Sequence, residues 1–152
     1  MDYSALTVAD YIINYVHAMK KTITNLQLQK ILYFLQIKTF GESHETFFED
    51  EIEKWKLGPV VPNVYHVYKM FGSNPISISF GGVDFEHLNH EDAKAIEQVV
   101  NELINENPFD LVERTHRHSA WSKEMEQINA GVQGIKYTKK EFEEAYSEDG
   151  AI

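Results

Sequence analysis

One stretch of the chain leaves the fold little freedom, the run from Glu51 to Tyr65, EIEKWKLGPVVPNVY. It packs a charged strand, a Trp, a Gly-Pro turn and a proline-initiated helix into fifteen residues. Gly58 reaches positive φ without steric cost, and Pro59 and Pro62 fix φ near the value of a turn or a first helical turn. The residue before each proline is pushed out of the helical region, so Gly58 and Val61 are expected to be extended or in a turn. A helix can then start at Pro62, where a missing N–H costs nothing. The expectation is a fixed strand–turn–helix corner, with Gly58 and Pro59 as its turn. Trp55 is expected at least half buried, covering the stripe Val64, Tyr68 and Phe71.

Helical patterns flank the corner. Thr7-Val8-Ala9-Asp10 reads as a capping signature for a helix of about thirteen residues, with apolar positions Ala9, Ile12, Ile13, Val16 and Met19. Thr24-Asn25-Leu26-Gln27 is a second capping box, and Leu28, Ile31, Leu32 and Leu35 form the core face behind it. The short polar turn between them predicts antiparallel neighbours. Residues 47–55 are the best strand candidate. Ile76, Ile78 and Phe80 alternate with serines, which predicts a second short strand ending at Gly81-Gly82 and able to pair with the first. Asn89 opens a longer helix closed by Asn107-Pro108, which in turn start a short helix through Val112. Thr138-Lys139-Lys140-Glu141 caps a terminal helix with Phe142, Ala145 and Tyr146 buried. The pattern is mainly α (α+β): a compact helical domain of five to seven helices, with a small two- or three-stranded β ribbon inserted after the second helix.

The corner, together with Leu26-Gln27-Leu28-Gln29-Lys30-Ile31-Leu32-Tyr33, resembles the Panacea antitoxin domain, the SocA-like, prophage-associated family. That pattern runs from a Leu-x-Lys-Leu-Leu-Tyr-like second helix to an acidic strand, then Trp-x-x-Gly-Pro-Val and a helix with a Tyr. A third block, Leu111 to Trp121 (LVERTHRHSAW), resembles the later Thr-His…Trp segment, with Ala120 where the family usually has Pro before the Trp. The three blocks span roughly residues 5–146, and Leu28, Lys30, Leu32, Tyr33, Thr115, His116 and Trp121 are its structural motif positions. The resemblance implies an antitoxin that works by protein–protein contact. It would block a co-encoded toxin or, in the SocA-like case, present it to a ClpXP protease.

Composition narrows the classes independently. A chain of 152 residues with 43% hydrophobic content is expected to form one domain, residues 1–152. It has no cysteine, which removes disulfides, zinc–thiolate sites and thiol catalysis together. No signal peptide is visible at Met1-Asp2-Tyr3-Ser4, and no apolar run approaches the roughly 18 residues a membrane span needs. The expectation is a cytoplasmic protein without membrane contact. The net charge is −10 and the only arginines are Arg114 and Arg117, which argues against direct nucleic-acid binding. An acidic protein can steer toward a basic partner, although the same charge also serves solubility.

No Gly-x-Ser-x-Gly elbow or phosphate loop occurs. His116 and His118, with Glu113, are the one cluster that could hold a metal, and they define the rival reading, a small metal-assisted hydrolase. Residues i and i+2 on a helix do not face each other, however, and the other histidines are scattered. A phage structural or interaction protein is a third reading. The favoured reading is a non-catalytic binding domain without metal or cofactor. Its partner would be a co-encoded toxin with a basic surface, and a ClpXP-type protease in the adaptor case. The partner surface is expected at the corner: Glu49, Glu51, Trp55, Lys56, Gly58, Pro59, Val60 and Tyr65.

Overall fold

The computed structural model describes residues 3–80 and 88–150. Eight α-helices and a two-stranded antiparallel sheet are found among them, so the fold is mainly α with its ribbon after the second helix. The helices are α1 (Ala5–Ala18), α2 (Asn25–Ser43), α3 (Pro62–Tyr68), α4 (His90–Leu103), α5 (Pro108–His116), α6 (Ser119–Ser122), α7 (Met125–Asn129) and α8 (Lys139–Asp149). A single 3₁₀ turn, Lys69–Phe71, extends α3 and stops at Gly72.

The second helix is the axis of the domain. Helices α1, α3, α4, α5 and α8 and the hairpin all pack against α2. Leu28, Ile31, Leu32, Tyr33, Phe34, Leu35 and Ile37 are buried nearly all round it, as expected of a helix with no solvent face. Its start is the expected capping box: the Thr24 side chain accepts from Gln27 N, and Gln27 returns to Thr24 N. The α4 cap at Asn89, the Pro62 start of α3 and the Thr138 capping box of α8 also stand where the sequence puts them. Tyr146 of α8 lies so close to α2 that a Cβ on Gly41 would sit 2.1 Å from its ring. Only a glycine permits that approach.

Several expectations need correction. The cap of α1 is Ser4, which accepts from Thr7 N, so the helix begins at Ala5. Helix α5 runs on past Val112 to His116, and α4 ends at Leu103, before Asn107. The strand predicted over 47–55 is reduced to β1 (Glu53–Trp55). Upstream of it, Gln36 takes the place of a ladder: its Oε1 accepts from Phe47 N at 2.8 Å and its Nε2 donates to Phe48 O at 2.8 Å. Phe47 and Phe48 are therefore both buried instead of facing opposite ways. The partner strand is β2 (Gly58–Val60), pairing Glu53 with Val60 and Trp55 with Gly58.

The turn accordingly lies at Lys56-Leu57, one step before the expected Gly58-Pro59. Residues 76–80 form no strand. Ile76 N donates to Ile23 O at 2.8 Å and Phe80 N to the Tyr68 hydroxyl at 3.0 Å, so side chains and a loop satisfy this backbone. The predicted end at Gly81-Gly82 lies outside the described residues. The free edge of β1 is covered instead by residues 135–137, where Lys54 N donates to Ile135 O and Tyr137 N to Ile52 O.

Candidate functional site

The three motif blocks meet on the inner side of the hairpin. Lys30 is fully buried, and its Nζ donates to Pro59 O at 2.8 Å. Burial lowers its ammonium from the ordinary 10.5 to about 7. Next to it, Gln29 Oε1 accepts from Val61 N at 2.8 Å, and Gln29 Nε2 donates to Asn25 Oδ1 at 2.9 Å. Gly58 has φ +100°, and a Cβ there would lie 2.5 Å from Thr115 Oγ1 and 3.1 Å from Lys30 Cε. The glycine is needed twice, for its backbone and for the space that Lys30 and Thr115 fill.

The block at 111–121 closes the hairpin from its turn. Trp121 Nε1 donates to Trp55 O at 2.8 Å, and His116 Nε2 donates to Lys56 O at 3.0 Å. The His116 and Trp121 rings stack with centroids 3.6 Å apart. Burial lowers the His116 imidazole below its ordinary 6.5, despite the carbonyl it contacts. Thr115 Oγ1 donates to Val112 O at 2.7 Å, tying off a buried hydroxyl within α5.

His118 turns the other way. Its Nε2 donates to Asp149 Oδ1 at 2.8 Å, which leaves Nδ1 to accept from the Tyr33 hydroxyl at 2.7 Å. Arg114 Nε and Nη2 grip the same carboxylate at 2.9 and 2.6 Å, while the guanidinium lies 4.5 Å from the centre of the Phe34 ring. Burial pushes the Asp149 carboxyl up, but the hydrogen bonds from His118 and Arg114 and the Arg114 charge outweigh it and hold it well below the usual carboxylate range. This clamp fastens α8, α5 and α2 to one another. Both ring nitrogens of His118 are engaged and His116 points at the hairpin, so His116, His118 and Glu113 do not converge. Among the described residues no group of three potential ligands gathers.

The outer side of the hairpin has the opposite character. Trp55 is partly buried, as expected, but packs on Tyr65 at 4.8 Å and beside His66 rather than on the Val64, Tyr68 and Phe71 stripe. Its Nε1 donates to Glu53 Oε1 at 2.9 Å. A groove of about 630 Å³ runs along it, bounded by Trp55, Pro62, His66, Ile128 and Val132. A second depression of about 370 Å³ adjoins it, lined by Glu49, Asp50, Glu51 and Glu53. Of the expected surface residues, Glu49, Glu51 and Lys56 are exposed and Trp55 and Tyr65 are partly so. Gly58, Pro59 and Val60 are buried, because they face α2 and α5.

The sequence reading missed Gln29, Gln36, Arg114 and Asp149. The first two carried a signal, polar residues seven apart that bracket the apolar run 31–35 in a helix with no solvent face over that stretch. Nothing near Asp149 in sequence points to His118.

Residues 28–122 match the family model described as antitoxin SocA-like, Panacea domain. This chain belongs to that family. A curated relative named Antitoxin SocA, from Caulobacter vibrioides (strain NA1000 / CB15N), is 34% identical over 68 residues, 45% of this chain and 36% of the relative. The chain thus spans about a third of the length of the curated relative it matches. No solved structure matches it. The matched Panacea segment includes α2 from Leu28 onward, the hairpin and the 111–121 block, the parts that meet around Lys30 and Gly58.

Proposed function

We propose that this protein is an antitoxin that neutralises a co-encoded toxin by direct protein–protein binding, with residues 1–152 acting as one domain. Membership of the SocA-like Panacea family is the observation that carries this reading. The geometry supports it. Lys30, Tyr33, His118 and the Asp149 carboxylate are enclosed and bonded to one another or to backbone. What the corner offers outward is a groove and a cluster of carboxylates, which suit a partner with a basic surface. The hydrolase reading based on His116, His118 and Glu113 finds no support in rings that diverge. No helix among the described residues is long and apolar enough to cross a membrane.

Co-expression with the product of the adjacent reading frame tests the proposal. Growth should be rescued and the two proteins should co-purify. A harmless neighbour that does not bind overturns the reading. Occlusion and delivery to a ClpXP-type protease differ in one readout: only delivery shortens the toxin's lifetime in the presence of this protein.

A further inference from the structure

We propose that the groove outside the hairpin and the acidic depression beside it form one bipartite site. It takes a segment of the toxin that carries a large apolar side chain next to Lys or Arg. This inference rests on the antitoxin reading above and adds where the toxin binds and by what chemistry.

The two hollows share a wall, since Glu53 and Pro62 line both. The groove side is apolar where it matters. Ile128 lies at the base, 2% exposed, and Val132 stands at the lip, 50% exposed, opposite Trp55 and Pro62. The lip is fixed, because Val132 N donates to Gln127 O and Gly131 N to Ile128 O. A preformed apolar slot of this kind binds a large side chain without ordering loops.

The neighbouring hollow suits a cation, with four carboxylates on its wall. The charges of Asp50 and Glu53 are bonded by neutral donors: Ala5 N and Asn63 Nδ2 for Asp50, and Trp55 Nε1 for Glu53. Lys136 pairs with Glu51 at 2.9 Å, but both side chains are more than half exposed, and such pairs yield readily to another cation. Lys54 borders the groove yet turns its ammonium inward to Glu141 and Glu124, with 1% of the side chain exposed. Lys56 borders the groove and not the acidic hollow. A second copy of this chain is a poor occupant, because it brings a net charge of −10 to the same carboxylates.

Val132→Asp tests the slot without touching the core. The probe is the purified product of the adjacent reading frame, with binding followed by titration calorimetry and folding by thermal melting. The variant should melt with the wild type and bind roughly 10–100-fold more weakly. Met70→Asp, at an exposed position that does not line the groove, should bind as the wild type does. Overlapping synthetic peptides of the same product should show binding confined to segments with an apolar residue beside Lys or Arg, and lost when that cation is replaced by Glu. Undiminished binding by Val132→Asp overturns the site and leaves the antitoxin reading intact. So does a wild-type dimer in sedimentation that this variant dissolves while toxin binding persists. If the wild type binds no neighbouring product, the antitoxin reading falls and this site with it.

Discussion

The inner and outer sides of the β1–β2 hairpin differ in what their polar groups face. Inside, Pro59 O, Val61 N, Trp55 O and Lys56 O each meet a side chain from α2 or the 111–121 block. Outside, Glu49 and Glu51 face solvent and Trp55 is left partly bare. Of the residues that mark the Panacea pattern, Leu28, Lys30, Leu32, Tyr33, Gly58, Pro59, Thr115 and Trp121 are buried, and Trp55, Tyr65 and His116 are partly so. The signature therefore reports how the corner is held. On the reading proposed above, what the corner binds is set by residues around its outer rim, such as Val132 and Glu49.

The largest effect should come from breaking the clamp behind the hairpin. Asp149 and His118 are nearly excluded from solvent, so removing either leaves buried polar partners unpaired. Asp149→Ala is expected to cost about 3–5 kcal/mol in urea unfolding, the range for a broken buried pair. The folded carboxyl titrates below its unfolded value near 3.8. Its contribution is thus complete above that value and lost as pH falls through the folded one. A loss under about 1 kcal/mol would place the clamp among ordinary surface pairs.

Gly58→Ala comes next. It meets both a left-handed φ of +100° and the contact at 2.5 Å with Thr115 Oγ1, so about 1–3 kcal/mol should be lost. Pairing it with Thr115→Ala relieves the clash but not the backbone strain. If the double variant recovers all of the stability, the glycine is there for space alone.

The fold was legible where a signal is local. Thr24, Asn89 and Thr138 sit within three residues of the amides they cap, and Pro62 fixes the start of α3 by its own ring. Helices α6 and α7 have no side-chain cap and span four and five residues, too short for a period to show. The false strand at 76–80 had the right alternation, but its backbone bonds go to Ile23 and Tyr68 rather than to a ladder. At the site, the motif named the residues but not their partners. Asp149 lies 31 positions from His118, and no spacing rule connects them. The turn was misplaced by attending to Gly58 and Pro59 as turn formers, when a strand position at φ +100° and the space beside Lys30 and Thr115 are what require the glycine.

Lys30 gives an effect set apart by its pH signature. Its ammonium titrates at about 7 in the fold and 10.5 in the open chain, so between these values the unfolded state holds more protons. Stability therefore rises with pH across that window, by up to about 1.4 kcal/mol per unit. Above 10 the buried Tyr33 and Tyr137 hydroxyls, raised by burial, reverse the trend, so the useful range is pH 7–9.5. Lys30→Met should flatten the slope in urea titrations at several pH values. A slope that survives the substitution assigns it to another group.

The smallest effect on stability should come from the outer side, where charge reversal tests the contrast most directly. Glu49 and Glu51 are exposed, so Glu49→Lys with Glu51→Lys should shift unfolding by no more than about 0.5 kcal/mol. The same pair should still matter to binding, because unlike charges raise the rate of encounter far more than they slow release. Stopped-flow mixing with the adjacent gene product at rising salt gives the readout. The wild type should associate faster at low salt and lose that advantage as ions screen it, whereas the variant should start slow and change little. Dissociation rates should differ less than association rates. Release that quickens more than association slows would make these carboxylates direct contacts rather than steering charges. A wild-type association rate indifferent to salt removes the electrostatic account altogether, leaving the apolar groove to carry recognition alone.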